Sequence, residues 1–302
     1  MAGEPPALDR AAIRRGYARF ADRYDAAAVF QREVARRMAE RLQYVKLAPV
    51  RVLDLGCGTG TDFAALAQRY PDAQMIGCDF APAMLQRARA RVPWMRRVLP
   101  MLKHRAPRLV CADAEHLPLR AGSVGLAWSN QMLHLFDDPL PALREVQRVL
   151  EVGGLFMFSS LGPDTLMELR RAFDSSDAAT HVHGFIDMHD LGDMLMASGF
   201  AEPVMDMEVI TLTYDDLSAL TRDLRHSGAA NAVAGRHRGL TGRGVWQGVR
   251  AGYEALRHDG RLPATFEVVY GHAWKAQPKT TADGRAIVHF DLPRRVPSRV
   301  TT

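Results

Sequence analysis

A glycine-rich turn after a short apolar run is the strongest chemical signal in the sequence. The run from Val52 to Leu55 is typical of a buried strand. Glycines then occupy alternate positions, at Gly56, Gly58 and Gly60. Glycine lets a backbone pass close to a ligand and adopt conformations that other residues avoid. In a doubly wound sheet, the first strand-to-helix turn lies at the carboxyl edge, where ligands bind.

The charge of Asp54, two residues before the first glycine, restricts the ligand. The dinucleotide fingerprint has its glycines at the first, third and sixth places, whereas here they stand at the first, third and fifth. A carboxylate at this position repels a pyrophosphate and suits a cationic group. S-adenosylmethionine carries an ammonium and a sulfonium and no phosphate, so we expect it here; a tight turn without a ligand is the alternative. The residues assigned to it in this turn are Asp54, Gly56, Cys57, Gly58 and Gly60.

Acidic and polar residues at the ends of the next three strands extend the expected cofactor site. Asp79 ends the second strand and can accept hydrogen bonds from two ribose hydroxyls, or else cap the helix that begins at Pro82. Asp113 follows the third strand and can bind the adenine edge, or else serve only a turn. Polar residues at the end of the fourth strand would face the amino-acid part of the cofactor. The residues assigned here are Asp79, Phe80, Asp113, Ala114, Ser129 and Asn130.

The elements that position these residues alternate between helix and strand. Apolar residues recur at helical spacing over residues 10–48, until Pro49 ends the pattern. Short strand-like runs then alternate with helices, and Gly153 and Gly154 are predicted to close the helix over 139–150. This order predicts an α/β fold with a doubly wound, mostly parallel sheet.

Two long segments interrupt the alternation. Residues 93–108 contain five basic residues and no acidic one, which indicates a basic surface insertion. Residues 163–260 are predicted to be mostly helical, with a helical cap over the sheet, and residues 262–274 are strand-like. We expect the tail over 276–302, which mixes Pro, Arg and Thr, to be partly disordered.

Composition restricts the class of protein. Of 302 residues 47% are hydrophobic and 24% charged, which excludes a wholly disordered chain and a collagen-like fibre. The longest apolar runs are well short of the about 18–20 residues that span a bilayer. Cys57, Cys78 and Cys111 match neither a zinc site nor a redox pair, so we expect a cytoplasmic protein without a metal. A net charge of +5 favours an acidic partner.

Together these residues resemble a class I S-adenosylmethionine-dependent methyltransferase over residues 50–161. A closer resemblance, to the malonyl-acyl-carrier-protein O-methyltransferases of biotin synthesis, covers most of residues 13–275. It implies a Rossmann-like, seven-stranded sheet with a helical cap insertion, in one domain over residues 1–275. The segments that carry it are 20–25, 126–130, 142–150, 153–154, 162–169, 185–189, 223–225, 228–229, 239–241, 260–263 and 265–267.

The resemblance implies methyl transfer to the free carboxylate of a malonyl thioester. That carboxylate is already ionised at neutral pH, so no general base is required. Tyr24 is a candidate aromatic lid near the methyl group, although it could instead simply pack against Phe20 and Tyr17. His134 is a candidate contact to the acceptor, with a structural role as the alternative, and Arg225 a candidate to orient its carboxylate.

The carrier of this thioester would be an acidic acyl carrier protein. Between residues 222 and 261, eight arginines face only three acidic residues, which predicts a basic rim for docking. A solvated arginine-rich surface is the alternative. Aromatic residues do not alternate with these arginines and no nucleic-acid motif occurs, so we expect no nucleic-acid partner. We also expect no membrane partner and a monomer.

Two dipeptides depart from the family pattern. His134-Leu135 stands where the family usually has Gln-Trp, and His183-Gly184 where it often has Asn-Arg. Both are expected near the acceptor, so they leave the substrate more open than the cofactor. The alternatives are a protein arginine hydroxylase or assembly factor with the same cofactor pocket, and a non-catalytic cofactor-binding module.

Overall fold

The computed structural model describes residues 7–92, 106–176, 179–228, 231–236, 239 and 242–277. Two helices precede the sheet, α1 (Arg10–Ala27) and α2 (Val29–Leu42). The first half of the sheet and its helices are β1 (Arg51–Leu55), α3 (Phe63–Arg69), β2 (Gln74–Asp79), α4 (Pro82–Arg91), β3 (Arg108–Cys111), β4 (Val124–Ser129), α5 (Leu140–Val149) and β5 (Leu150–Leu161). The remaining elements are α6 (Met167–Asp174), α7 (Met188–Ala197), β6 (Phe200–Tyr214), α8 (Leu217–His226), α9 (Arg243–Glu254) and β7 (Leu262–Lys275).

The strands form one sheet of seven strands in the order β3-β2-β1-β4-β5-β7-β6. The first five pair in parallel, and β7 lies antiparallel between β5 and β6. The predicted α/β fold with a doubly wound, mostly parallel, seven-stranded sheet is therefore confirmed. The strand order reverses between β1 and β4, which opens a crevice at their carboxyl ends.

Burial explains why the central strands are apolar throughout. Every residue of β4 is buried, because helices cover both faces of the sheet. On α5, the buried residues Ala142, Leu143, Val146 and Val149 follow helical spacing and face the sheet. Alternate residues of β1 enter different cores, Val52 with α2 and Leu53 with α5. Asp54 therefore points to the same side of the sheet as Val52.

The helical prediction over residues 200–214 is wrong, because this segment is the fifteen-residue strand β6. It pairs antiparallel with β7 along almost its whole length, from Phe200 beside Lys275 to Tyr214 beside Leu262. It lies at the edge of the sheet, where exposed and partly buried residues largely alternate. A strand of this kind has few fully buried residues, and its pairing partner comes about 60 residues later in the chain, so its own sequence gives a weak signal.

The prediction that Gly153 and Gly154 close a helix is also wrong. The helix α5 already ends at Val149, and β5 follows without a loop. The two glycines lie where the pairing of β4 with β5 shifts register, and Gly153 has a positive φ of 77°. They accommodate a bulge in the sheet, for which glycine is also favoured.

Helices α6, α8 and α9 form the described part of the predicted cap, with α9 packed on α6 and α8 on α1. Most of the predicted basic insertion, residues 93–105, lies outside the described residues, and Arg108 begins β3. The predicted tail lies outside them from residue 278, as do parts of the motifs at 228–229 and 239–241. Within the described segments, no helix combines the length and the apolar character needed to cross a membrane.

The close contact between Gly271 of β7 and Phe158 of β5 leads to a prediction about stability. A side chain at Gly271 would collide with the ring of Phe158, which is fully buried and cannot move aside. We expect Gly271→Ala to lower the free energy of unfolding by about 1–3 kcal/mol. The matched variant Gly16→Ala adds the same methyl group to open space on α1 and should raise it by about 0.5–1 kcal/mol. Denaturant melts of both variants test this, and an unchanged Gly271→Ala would contradict it.

Candidate active site

The glycine turn between β1 and α3 is folded against the end of β2. Gly56, Gly58 and Gly60 all have positive φ, at 75°, 53° and 73°. The backbone N–H groups of Gly56 and Cys57 both donate to the carbonyl of Cys78, at 2.8 and 3.0 Å. The turn therefore needs the conformational freedom of glycine at all three positions.

Asp79 ties two loops together at the carboxyl edge of the sheet. Its Oδ2 accepts a hydrogen bond from the N–H of Gly58 at 2.9 Å, and its Oδ1 accepts one from the N–H of Ala81 at 2.8 Å. The second bond serves the start of α4, which begins with Pro82. Asp79 also lines a cavity at this edge, so the capping role and a ligand-facing position occur together.

This cavity, which we call the cofactor cavity, lies at the carboxyl ends of β1, β2 and β4, beneath α1. Two further predicted residues, Asp54 and Cys57, line a small adjoining cavity that also includes Asp62. Gly60 and Ser129 line neither cavity: Gly60 packs against Phe63, and Ser129 is fully buried. The predicted residues that line the cofactor cavity are Gly56, Gly58, Asp79, Phe80, Asp113, Ala114 and Asn130, together with Tyr24.

Three carboxyl groups crowd around the glycine turn. Asp54 is only 3% exposed, and its Oδ2 has no hydrogen-bond partner among the described residues. Burial, and then the charges of Asp62 and Asp79, raise the pKa of Asp54 well above its usual range. Burial likewise raises the pKa of Asp79, against the opposing effect of its two backbone hydrogen bonds. A cation bound here would offset this repulsion, so the site suits a positively charged ligand.

Asp62 belongs to this cluster but was not expected from the sequence. Its Oδ2 accepts a hydrogen bond from the Nε1 of Trp128 at 2.9 Å, which fixes it beside the turn. Burial raises its pKa, although the bonds from Trp128 and Thr61 act in the opposite direction. Its position directly before α3 could have suggested a cap, but only the fold shows that its side chain turns towards Asp54.

Arg10 is a second residue that sequence reasoning missed. Its Nη2 donates to the Oδ1 of Asp113 at 2.6 Å, and its Nη1 pairs with Glu115. Partial burial acts to raise the pKa of Asp113, but the hydrogen bonds from Arg10 and from the N–H of Glu115 bring it below its usual range. Arg10 precedes Asp113 by 103 residues, so only the docking of α1 over the sheet brings them together.

The residues expected at the acceptor follow a line of adjoining cavities. Tyr24 lines the cofactor cavity and a neighbouring cavity, which also includes Gln131 and His134. His134 also lines a larger cavity of about 240 Å³, which we call the acceptor cavity. Arg225 lines this acceptor cavity but is exposed, so it lies at the mouth.

Both expected side chains at the inner end are uncharged. Burial, followed by nearby acidic and phenolic groups, raises the pKa of Tyr24 well above its usual range. The ring of Tyr24 also lies 6.1 Å from that of Tyr17, so its packing role and its position between cavities coexist. Burial and the charge of His183 lower the pKa of His134 to about 3, so its imidazole is neutral at pH 7.

Gln131 joins the two inner cavities and was also missed. It is 8% exposed and has a positive φ of 57°, which is uncommon for a residue other than glycine. Its backbone N–H donates to the Oγ of Ser159 at 3.0 Å, which holds this conformation. Asn130 beside it is also fixed, because its amide donates to the carbonyl of Gln31 at 3.1 Å and accepts from Ser159 at 2.8 Å.

Comparison with known proteins agrees with this geometry. A family model described as a methyltransferase domain matches residues 53–158. The malonyl-[acyl-carrier protein] O-methyltransferase of Laribacter hongkongensis is 54% identical over 286 residues, which cover 93% of this chain and 96% of that protein. The chain belongs to this methyltransferase family. Proteins of the same name from Gallionella capsiferriformans and Legionella pneumophila are 50% and 41% identical, covering 93% and 90% of the chain and 96% and 93% of those proteins.

Solved structures show the same fold at low sequence identity. The YcgJ protein of Bacillus subtilis aligns with a TM-score of 0.56 at 19% identity, over 82% of this chain and all of that one. A putative methyltransferase of Bacillus halodurans aligns with a TM-score of 0.55 at 18% identity, over 80% and 99% of the two chains. The family member described here therefore shares its α/β fold with these two proteins. In its described part, no three His, Cys, Asp or Glu side chains are grouped so that they could hold a metal ion.

The crowding of Asp54 by other carboxyl groups leads to a prediction about how the stability of the ligand-free protein depends on pH. Because its pKa is raised on folding, the folded state keeps the proton to a higher pH than the unfolded state, and stability falls as pH rises above about 4. Asp54→Asn should remove this loss, so we expect the variant to be more stable than the parent at pH 7, by a margin that shrinks towards pH 4.

Thermal and denaturant melts between pH 4 and pH 8 test this expectation. The control is Asp72→Asn, which changes an exposed carboxylate and should leave the pH dependence unchanged. An Asp54→Asn variant less stable than the parent throughout this range would show that the carboxylate is stabilising.

Proposed function

We propose that the protein transfers a methyl group from S-adenosylmethionine to the free carboxylate of a malonyl thioester on an acyl carrier protein. This reaction belongs to the early pimeloyl stage of biotin synthesis. Membership of the malonyl-[acyl-carrier protein] O-methyltransferase family supports the acceptor. The observation that supports the donor is the buried carboxyl oxygen of Asp54, which has no hydrogen-bond partner among the described residues and lies beside two further carboxyl groups.

The residues present fit this cofactor. Asp54 would hold its cationic amino-acid end, since that side chain lacks any hydrogen-bond partner for its Oδ2 in the described structure. Each oxygen of Asp79 keeps a lone pair beyond its backbone bond, so the carboxylate can accept from ribose hydroxyls. A Cβ added at Gly58 would have Met84 as its nearest neighbour, at 3.5 Å, so the space beside this backbone is not occupied by packed atoms. Asp113 and Ala114 would hold the adenine.

The proposed reaction depends on the position of the acceptor carboxylate and needs no proton transfer. When bound, S-adenosylmethionine supplies an electrophilic methyl group on a sulfonium. The malonyl carboxylate is already ionised, so neither Tyr24 nor His134 has to accept a proton. Both are neutral, and with Gln131 they would enclose the acceptor carboxylate away from water, which increases its reactivity towards a cationic centre.

The predicted basic rim is smaller than the sequence count indicates. Arg236 lies 3.5 Å from Asp9, while Arg257 and Arg261 pair with Glu254 and Asp215. Arg238 lies outside the described residues. In the described structure, the arginines of the rim without an ion pair are Arg222, Arg225, Arg243 and Arg250.

The helix α1 adds to this basic surface. It packs beside α8, which carries Arg225 at the mouth of the acceptor cavity and Arg222 on its exposed surface. The exposed arginines of α1 are Arg14, Arg15, Arg19 and Arg23, of which Arg15 lies 3.7 Å from Asp9. We infer that an acidic carrier protein docks on this combined surface and inserts its malonyl group through the mouth.

The other functions considered from the sequence are not favoured. The relatives compared are named as O-methyltransferases, and none of those names supports an arginine hydroxylase, an assembly factor or a non-catalytic module. A cytoplasmic location, a monomeric state and the absence of nucleic-acid or membrane partners stay predictions.

Direct assay tests the proposed function. Purified protein with labelled S-adenosylmethionine and malonyl-acyl carrier protein should yield the malonyl methyl ester, identified by mass spectrometry. Asp54→Asn should bind S-adenosylmethionine at least tenfold more weakly, a loss of about 1.4 kcal/mol, because it lacks the negative charge. No ester from the parent protein, under conditions in which a known enzyme of the family is active, would refute the function.

The docking surface makes a separate prediction. Arg222→Glu reverses an exposed charge on α8 and should reduce kcat/KM for malonyl-acyl carrier protein about tenfold at low salt, with less effect at high salt. A free malonyl thioester should be methylated at nearly the parent rate. The control Arg120→Glu changes an exposed arginine just before β4, at the opposite end of that strand from the site. Equal losses with both acceptors would show that the surface does not bind the carrier protein.

A further inference from the structure

Two histidines of the acceptor cavity have ring nitrogens that lack a partner. The Nδ1 of His134 and the Nε2 of His183 are buried and form no hydrogen bond within the described structure. Both side chains line the same cavity. A buried polar atom without a partner costs about 1–3 kcal/mol, and native proteins retain few of them. Two in one cavity therefore indicate a ligand that supplies the missing hydrogen bonds.

Phe185 holds the two imidazoles in place. Its ring centroid lies 6.0 Å from that of His134 and 4.6 Å from that of His183. Burial is the main reason that the pKa of each histidine is lowered, so both rings are neutral. A neutral imidazole donates one hydrogen bond to an uncharged oxygen without bringing a positive charge into the cavity.

The rest of the cavity indicates the shape of that ligand. Its walls are mainly apolar, with Leu161, Leu166 and Phe266 among them. Arg225 lies at its mouth, and His134 also lines the neighbouring cavity that contains Gln131 and Tyr24. A ligand that fills this path is long and slender, uncharged in its middle, with hydrogen-bonding oxygens spaced along it.

We propose that His134 and His183 bind the uncharged carbonyl oxygens of the thioester-linked arm that carries the methyl acceptor. The assignment rests on the proposed function. His134, at the inner end, binds the thioester carbonyl, and His183, nearer to the mouth, binds an amide carbonyl of the arm. The acceptor carboxylate then lies beyond His134, beside Tyr24 and Gln131.

The neutral state of the pair also gives specificity. A cationic histidine at either position would attract the carboxylate and stop it before the inner end of the path. Two neutral donors do not compete for the carboxylate in this way. They therefore favour the one orientation in which the carboxylate reaches the cofactor cavity.

The test uses His134→Phe and His183→Phe, which keep the ring shape and remove the hydrogen bond. With malonyl-acyl carrier protein, we expect KM to rise about five- to tenfold for each, with kcat and the affinity for S-adenosylmethionine nearly unchanged. His134→Asn and His183→Gln, which restore an amide donor, should recover part of the loss. The control His258→Phe replaces an exposed histidine and should have no effect.

A short acceptor separates the two positions. Malonyl methyl thioester has the thioester carbonyl but no amide, so His134→Phe should raise its KM while His183→Phe should not. Thermal melts establish that each variant is folded, and neither should melt lower than the parent, since each removes an unpaired polar atom.

The outcomes are distinct. If the parent enzyme methylates malonyl-acyl carrier protein and both phenylalanine variants keep its KM, the histidine assignment is overturned and the proposed function stands. A fall in kcat at unchanged KM, or equal effects of both variants on the short acceptor, would overturn it as well. A parent enzyme that methylates neither acceptor overturns both proposals.

Discussion

The repulsion among buried carboxyl groups at the end of β1 is the constraint on which the site depends. Asp54, Asp62 and Asp79 lie together at the point where the strand order reverses, and one oxygen of Asp54 has no hydrogen-bond partner in the part of the chain that the structure describes. A fold gains nothing from such a cluster by itself, because burying like charges weakens the folded state. The proposed cationic cofactor would offset this repulsion, which gives the cluster a physical purpose.

The surrounding structure keeps this charge in place. Hydrogen bonds from Gly58 and Ala81 fix Asp79, and Trp128, wholly buried in the sheet, fixes Asp62. These bonds come from three different strands or their loops, so the cluster cannot relax by the movement of one segment. The positive φ angles of the glycine turn have the same effect, since they hold the backbone against β2. The carboxyl groups are thus held in a rigid edge before a ligand binds, as preorganised binding requires.

The sequence predicts what local patterns determine. The helix α4 begins at Pro82 and the strand β4 ends at Ser129, as predicted, because a proline at the first turn and a continuous apolar run are local signals. The strand β6 could not be predicted in this way, since its partner β7 is distant in the chain and covers it on one side only. Gly153 shows a related limit: one residue type suits both a helix end and a bulge.

Local sequence patterns likewise predict some residues of the candidate site and miss others. The glycine turn and Asp79 follow from spacing, whereas the pair of Arg10 with Asp113 exists only after α1 has docked. The backbone of Gln131 could not be anticipated either, because the left-handed conformation of a non-glycine residue depends on the bonds of β5 that hold it. The two departures from the family pattern, His134 and His183, look unrelated in sequence yet contact the same phenylalanine ring.

The position of α1 has a practical consequence for anyone who shortens the chain. The segment matched as a methyltransferase domain, residues 53–158, contains the three carboxyl groups, but Arg10, Tyr17 and Tyr24 all precede it. A fragment limited to that segment would keep the carboxyl groups proposed to bind a cation. It would lose the helix α1, which covers them. Water would then reach the place where a carboxylate has to meet a methyl group, so the smallest useful enzyme is considerably larger than its recognisable core.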